Sequence, residues 1–327
     1  MEKNITFLEL TGTDPDDEMF VNYWDALKKS RGNPKTAQIR ANNTNQLSTI
    51  GHLTHVQARL SSGKKMEVIL YGKGSPILFI SGIGMISPIW LYQMKSLSSR
   101  HQLIFIHNPG HGFSEISEDL SYKGVSKTII ETIEVLGITS PMHVIGTCLG
   151  GNIAIALAAR YPQCISLTLV NSVYDYATDA FDTKHLDRQQ VAIIMGFLKG
   201  FETRLRTDFE RSLKECALDS SNYNQRYQLY QKSKNIDPYA YIQYVDSISK
   251  NKAIHDLLEG IHQPTLIIAG GRDTVVNNND SRIMGRLINT AEYQEISDAG
   301  HYPYITHPFI FNTTVKTFIE NTEIHEG

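Results

Sequence analysis

Three residues in this chain are of types that together carry out nucleophilic acyl transfer. Cys148 stands in Gly146-Thr147-Cys148-Leu149-Gly150-Gly151, where the apolar run "MHVIGT" gives way to the small-residue helical stretch "LGGNIAIALAARYP". A nucleophile on a sharp strand-to-helix turn projects above the sheet, and only small neighbours leave room for such a backbone. Gly146 and Gly150 supply that room. The helix N-terminus behind the turn favours a thiolate, the nucleophilic form. Asp273 follows the apolar run "PTLIIAGGRD", and His301 lies in "ISDAGHYPY", after the next extended run. A histidine beside the thiol takes its proton, and a carboxylate behind the ring orients it and stabilises its charged form. Asp298 is a second candidate acid, but it lies only three residues from His301.

The elements that must position these residues are legible from residue 54 onward. "HVQARL" and "MEVILYG" predict a hairpin. "PILFISG", "QLIFIHNPGHG", "MHVIGTC", "ISLTLVNS", "PTLIIAGGRD" and "EYQEIS" predict later strands, with helices near 122–137, 149–161, 279–289 and 308–321. Short continuous apolar runs alternating with helices indicate strands buried on both faces of a mainly parallel sheet, an α/β architecture with two early antiparallel strands and at least five parallel ones. The core spans residues 51–176 and 263–327.

Between these lies a segment, 177–262, with helical periodicity and no strand pattern. Leu205, Phe209 and Leu213 recur every four residues, and Tyr223, Tyr227 and Tyr230 share one helical face. It predicts a helical cap over the strand C-termini, where open α/β sheets bind ligands. Its tyrosines, with Tyr239, Tyr241 and Tyr244, either line an acyl pocket or form the cap's own core. Residues 1–50 read as an extension. In "TDPDDEMFVNYWDALKKSRGNP", Asp14 caps a helix, Pro15 suits its first turn, and Gly32 and Pro34 end it. Its apolar stripe of Phe20, Tyr23, Trp24 and Leu27 suits packing on the main domain or docking to a partner. "RANNTNQLST" follows as a linker.

Composition excludes several classes. The 327 residues are 41% hydrophobic and 20% charged, with a net charge of −3 and no block of like charges, so neither nucleic acid nor an anionic membrane is an expected partner. No run is long enough to span a bilayer, and the N-terminus lacks the pattern of a secretory signal. Cys148, Cys164 and Cys216 are too scattered for a disulfide framework, so a reducing cytoplasm is the expected setting. His107 and His111 lie on a glycine- and proline-rich turn with no acidic cluster beside them, which argues against a metal site. No cofactor is expected.

Together these features resemble the α/β-hydrolase superfamily, with cysteine where serine usually stands. The resemblance covers roughly residues 54–327; the insertion matches only in position and helical character. In that family the order is nucleophile, acid, histidine, which implies Cys148, Asp273 and His301 as a catalytic triad. "FISGIGM" resembles the family's H-G-x-G oxyanion loop, with Ser81 at the histidine position, and implies that the N–H groups of Ile83 and Leu149 hold the oxyanion. "HNPGHGFS" resembles the D-x-P-G-x-G-x-S turn, with Asn108 at the aspartate position.

The cysteine bears on the donor. A thiolate added to an alkyl ester is expelled again more easily than the alkoxide, whereas with a thioester the two leaving groups are matched. G-x-C-x-G-G also resembles the box of polyhydroxyalkanoate synthases, and cysteine nucleophiles occur in dienelactone hydrolases and in some off-loading thioesterases of polyketide and peptide assembly lines. The resemblance therefore implies a stand-alone thioesterase or acyltransferase whose partner is an acyl thioester on coenzyme A or a carrier protein. The alternatives are a carboxylester or carbon–carbon bond hydrolase, and a non-catalytic binding protein on the same fold.

Overall fold

Nine strands form one sheet in the computed structural model of the chain, which describes residues 5–9, 54–174, 188–216, 218, 220–250 and 254–326. They are β1 (Ile5–Glu9), β2 (Thr54–Arg59), β3 (Lys65–Gly72), β4 (Ser75–Ile80), β5 (His101–Ile106), β6 (Met142–Thr147), β7 (Cys164–Val170), β8 (Thr265–Gly270) and β9 (Ala291–Ile296). Their spatial order is β1-β2-β3-β5-β4-β6-β7-β8-β9. The first three pair antiparallel, β3 pairs antiparallel with β5, and the rest run parallel. The described helices are α1 (Leu91–Leu97), α2 (Tyr122–Leu136), α3 (Leu149–Ala158), α4 (Arg188–Glu215), α5 (Ser220–Lys232), α6 (Pro238–Lys250), α7 (His255–Leu258), α8 (Asn278–Leu287), α9 (Pro303–Thr306) and α10 (Pro308–Glu326).

The strands read as unbroken apolar runs because both faces are covered. Successive side chains alternate between two cores. Leu78, Ile80, Ile104 and Val144 pack with Ile129 of α2 and Ile153 of α3. Ile77, Phe79, Phe105 and Ile145 pack on the other face with Trp90, Phe311 and Val315. Phe209 of α4 and Tyr230 of α5 belong to this second core, with rings stacked 4.3 Å apart. The insertion is therefore anchored by its own apolar stripe.

β1 departs from the sequence expectation for the N-terminal extension. "ITFLE" is too short and too mixed to signal a strand locally, and it acquires its conformation by pairing with β2, Ile5 opposite Ala58 to Glu9 opposite Thr54. The predicted helix of residues 14–34 and the linker after it lie outside the described residues, as do 175–187. The short helices α1 and α9 are additions to the predicted set, and α3 stops at Ala158, short of the predicted end at 161.

Candidate active site

Cys148 caps α3 at the end of β6 with φ 52° and ψ −122°. Among the described residues only it and Asn171 combine a side chain with positive φ. Such a backbone costs on the order of 1–3 kcal/mol and persists only where the surroundings over-determine it. The surroundings do so here. The Cys148 N–H donates to Val170 O at 2.9 Å, tying the turn to β7. A Cβ on Gly146 would fall 2.4 Å from Gly150 O, and one on Gly150 would fall 2.1 Å from Ile80 O. The glycines thus let β6, α3 and β4 close around the thiol.

Behind the thiol stands His301, which is 2% exposed. Its Nδ1 lies 2.7 Å from Asp273 Oδ2, and the other carboxylate oxygen accepts the N–H groups of Val275 (2.7 Å) and Val276 (2.9 Å). Burial alone would lower the imidazole's proton affinity. Asp273, through charge and hydrogen bond, and the Cys148 thiol beside it reverse this and hold it well above its ordinary value. Cys148 and His301 line one small pocket together with Ile83, Tyr302 and Tyr304. Asp298, the second candidate acid, points elsewhere: it is 67% exposed and pairs with Arg272 at 2.8 Å.

The loop after β4 brings Ile83 next to this pair. A Cβ on Gly82 would sit 3.1 Å from Cys148 Cβ, so the loop backbone lies against the turn. Leu149 opens α3, and the leading N–H groups of a helix have no partner within it. The turn after β5 grips this loop at three points. Asn108 Nδ2 donates to Ser81 O (3.0 Å), Gly84 N donates to His111 Nε2 (2.9 Å), and Ser87 N donates to His107 Nε2 (3.0 Å). Burial lowers His111 to about 4, which keeps Nε2 an acceptor. His111 is therefore committed to backbone, and His107 to Ser87 through one ring nitrogen and to Glu67 through the other; among the described residues no cluster of three or more side chains able to hold a metal occurs.

Two further residues, not singled out in the sequence, hold the loops of His301 and Asp273. Asn171, just past β7, accepts from Gly270 N (2.8 Å) and donates to the carbonyls of Gly300 (3.1 Å) and His301 (3.0 Å). Asp208 on α4 accepts from His301 N at 2.7 Å with one oxygen. Its other oxygen accepts from Thr274 N (3.0 Å), Thr274 Oγ1 (2.8 Å) and Arg211 (2.7 Å). The available signal is Asp208's place beside Leu205, Phe209 and Leu213 on the apolar face of a helix, where a carboxylate is buried only if it is paired. Of the insertion's tyrosines, Tyr230, Tyr241 and Tyr244 are buried, and Tyr239 is exposed. Tyr244 spends its hydroxyl on Pro109 O (3.1 Å).

A cysteine on a strained strand-to-helix turn, with a paired histidine and aspartate on successive strand ends, points to a class of protein, and comparison with known proteins agrees. Residues 75–308 match the family model described as alpha/beta hydrolase fold, and the chain belongs to that family. It is 26% identical over 302 residues to "Polyketide synthase ThaQ" of Burkholderia thailandensis, a match covering 91% of this chain but only 14% of that much longer protein. It is 28% identical to a "Pimeloyl-[acyl-carrier protein] methyl ester esterase" of Nitrosospira multiformis, over 77% of this chain and 98% of the relative. Among solved structures, an esterase from Exiguobacterium antarcticum superposes with a TM-score of 0.65 at 17% identity, covering 81% of this chain and 98% of that one. Curated relatives matched across most of their own length include esterases, lipases and a lactonase, enzymes of the hydrolase kind. Among the described residues no helix is long and apolar enough to cross a membrane.

Proposed function

We propose that this chain is an acyl-transfer enzyme working through an acyl-cysteine intermediate, with a thioester of coenzyme A or a carrier protein as donor. The observation that carries this is Cys148 in positive-φ backbone, in one pocket with a His301 ring that Asp273 holds at 2.7 Å. His301 takes the thiol proton, and the Cys148 thiolate adds to the acyl carbonyl. The N–H groups of Ile83 and Leu149 receive the oxyanion, each such donor being worth on the order of 10²–10³ in rate. Collapse breaks the bond to the donor's sulfur, which leaves with the proton from His301. His301 then takes a proton from the incoming water, alcohol, amine or carbon acid. That nucleophile displaces Cys148 as thiolate. Asp273 keeps the ring in the tautomer this needs.

The thioester preference follows from matched sulfur leaving groups. Resemblance to relatives named for polyketide synthesis and for a carrier-protein-bound acyl chain supports a carrier-borne substrate. The esterase and lipase relatives favour a second reading, hydrolysis of oxygen esters. Intact-protein mass spectrometry after mixing with a thioester and with an alkyl ester of the same chain tests both. The expected result is a faster adduct on Cys148 from the thioester. Faster acylation by the alkyl ester would favour the second reading, and no adduct from either donor would leave a binding protein on a hydrolase fold.

A further inference from the structure

The larger cavity beside the candidate site is not walled as a hydrocarbon pocket would be. It holds about 370 Å³ between the loop after β4 and helices α4, α5 and α6. It shares Ile83, Met85 and Leu205 with the small pocket of Cys148 and His301. A space of this size falls in the range of roughly 300–1,000 Å³ usual for small-molecule sites.

Beyond those three side chains the wall carries the donors Tyr241, Lys234 and Asn235 beside Tyr230, Ile236 and Glu202. The Tyr241 residue is 7% exposed, and its hydroxyl has no hydrogen-bond partner among the described residues. Burying a hydroxyl without a partner costs about 1–3 kcal/mol, a cost that an acceptor supplied from the cavity removes. Lys234 lines the same cavity half-buried, with Nζ 4.5 Å from the centre of the Tyr230 ring. The charges that act on it are those of Glu202, which shares the cavity wall, Arg206 and Glu210. Burial, with Arg206 adding to it, pulls its ammonium below the ordinary value, and the carboxylates of Glu202 and Glu210 only partly offset this. An ammonium only donates, and it meets oxygen acceptors most strongly when they are anionic.

We infer that this cavity receives an acyl chain bearing acceptor oxygens, keto, hydroxyl or carboxylate, held by the Tyr241 hydroxyl and the Lys234 ammonium in preference to a plain hydrocarbon chain. The inference rests on the acyl-transfer reading of Cys148, which makes the space next to the thiol the place for the chain. Glu202, which also lines the cavity, adds an acceptor for hydroxyl groups.

The test uses three chains of equal length: a saturated one, one with a keto group near its far end, and one ending in a carboxylate. Each is supplied as a thioester to the wild type for kcat/KM. Each is also supplied as an inert amide analogue to Cys148→Ala protein, with affinity measured by calorimetry. Both oxygenated chains are expected to exceed the saturated one by about threefold to tenfold, the size of one added hydrogen bond. Tyr241→Phe should bring the ratios toward one. Lys234→Met should strike the carboxylate chain hardest, and Lys234→Arg should keep the preference. Equal or tighter binding of the saturated amide, or ratios that survive both Tyr241→Phe and Lys234→Met, would overturn the inference. If no thioester acylates Cys148 yet the amides bind in the expected order, the acyl-transfer reading fails and the cavity assignment stands.

Discussion

Cys148, Cys164 and Cys216 share a chemistry but not an environment. Burial pushes the Cys164 thiol up to about 12. Burial also raises Cys216, the arginine at 226 only partly offsetting it. The thiol beside His301 is the one with a base at hand, so brief iodoacetamide treatment near pH 7 should label Cys148 first, read by peptide mapping. Labelling of Cys216 ahead of it would argue against an activated thiol. The acid can be tested in the same way. Asp273→Asn offers His301 an amide and lets the wrong tautomer form, so kcat should fall by about 10⁴-fold. Asp298→Asn removes only an exposed pair with Arg272 and should cost less than about threefold. A reversed pair of losses would exchange the two assignments.

At the scale of elements, Asp208 connects α4 to both the loop of Asp273 and that of His301. Asp208→Asn leaves one oxygen acceptor and turns an NH₂ toward either His301 N or Thr274. The orphaned buried N–H costs about 1–3 kcal/mol. A displaced imidazole should lower kcat roughly ten- to a hundredfold, with KM little changed. Loss of melting temperature with kcat intact would reduce Asp208 to a packing role. This residue also marks the limit of what the sequence discloses. The strands from β2 onward are readable because burial on both faces makes them apolar without interruption. The turn at Cys148 is readable because only glycine fits where Gly146 and Gly150 approach neighbouring backbone. Asp208, Asn171 and the grip of His107, Asn108 and His111 on the loop after β4 are not, because a buried polar side chain takes its meaning from partners distant in the chain. β1 fails for the same reason: its partner strand begins 45 residues after its last residue, Thr54 against Glu9.

Across the whole molecule, one buried carboxylate sets an acid limit on stability. Glu67 on β3 lies 2.8 Å from both His55 Nε2 and His107 Nδ1 and accepts the Phe113 N–H at 2.6 Å. Burial alone would raise its proton affinity, but His107, His55 and their hydrogen bonds outweigh it and bring the carboxyl down to about 2 from 4.5. A depressed carboxyl stabilises the fold fully above its unfolded value, and that contribution is lost as pH falls from about 4.5 through about 2, roughly 3 kcal/mol in all. Urea titrations from pH 7 downward should show this limb in the wild type. Glu67→Gln should be less stable at pH 7 and lack the limb; a parallel pH profile would place the acid limit elsewhere.

The tether through Asp208 also has a consequence in time. The helix that bears it lies in sequence between β7 and β8, and its carboxylate bridges loops that follow β8 and β9. The sheet can pair before that helix docks, but the imidazole reaches its final orientation only afterwards. A chain refolding from urea should therefore pass through a stage with native-like circular dichroism and a sluggish thiol, and the rate of Cys148 alkylation should recover after the sheet signal. Simultaneous recovery would mean that the insertion docks as early as the strands pair. In the expected order, the reactive centre stays dormant in a newly made chain until the last piece is seated.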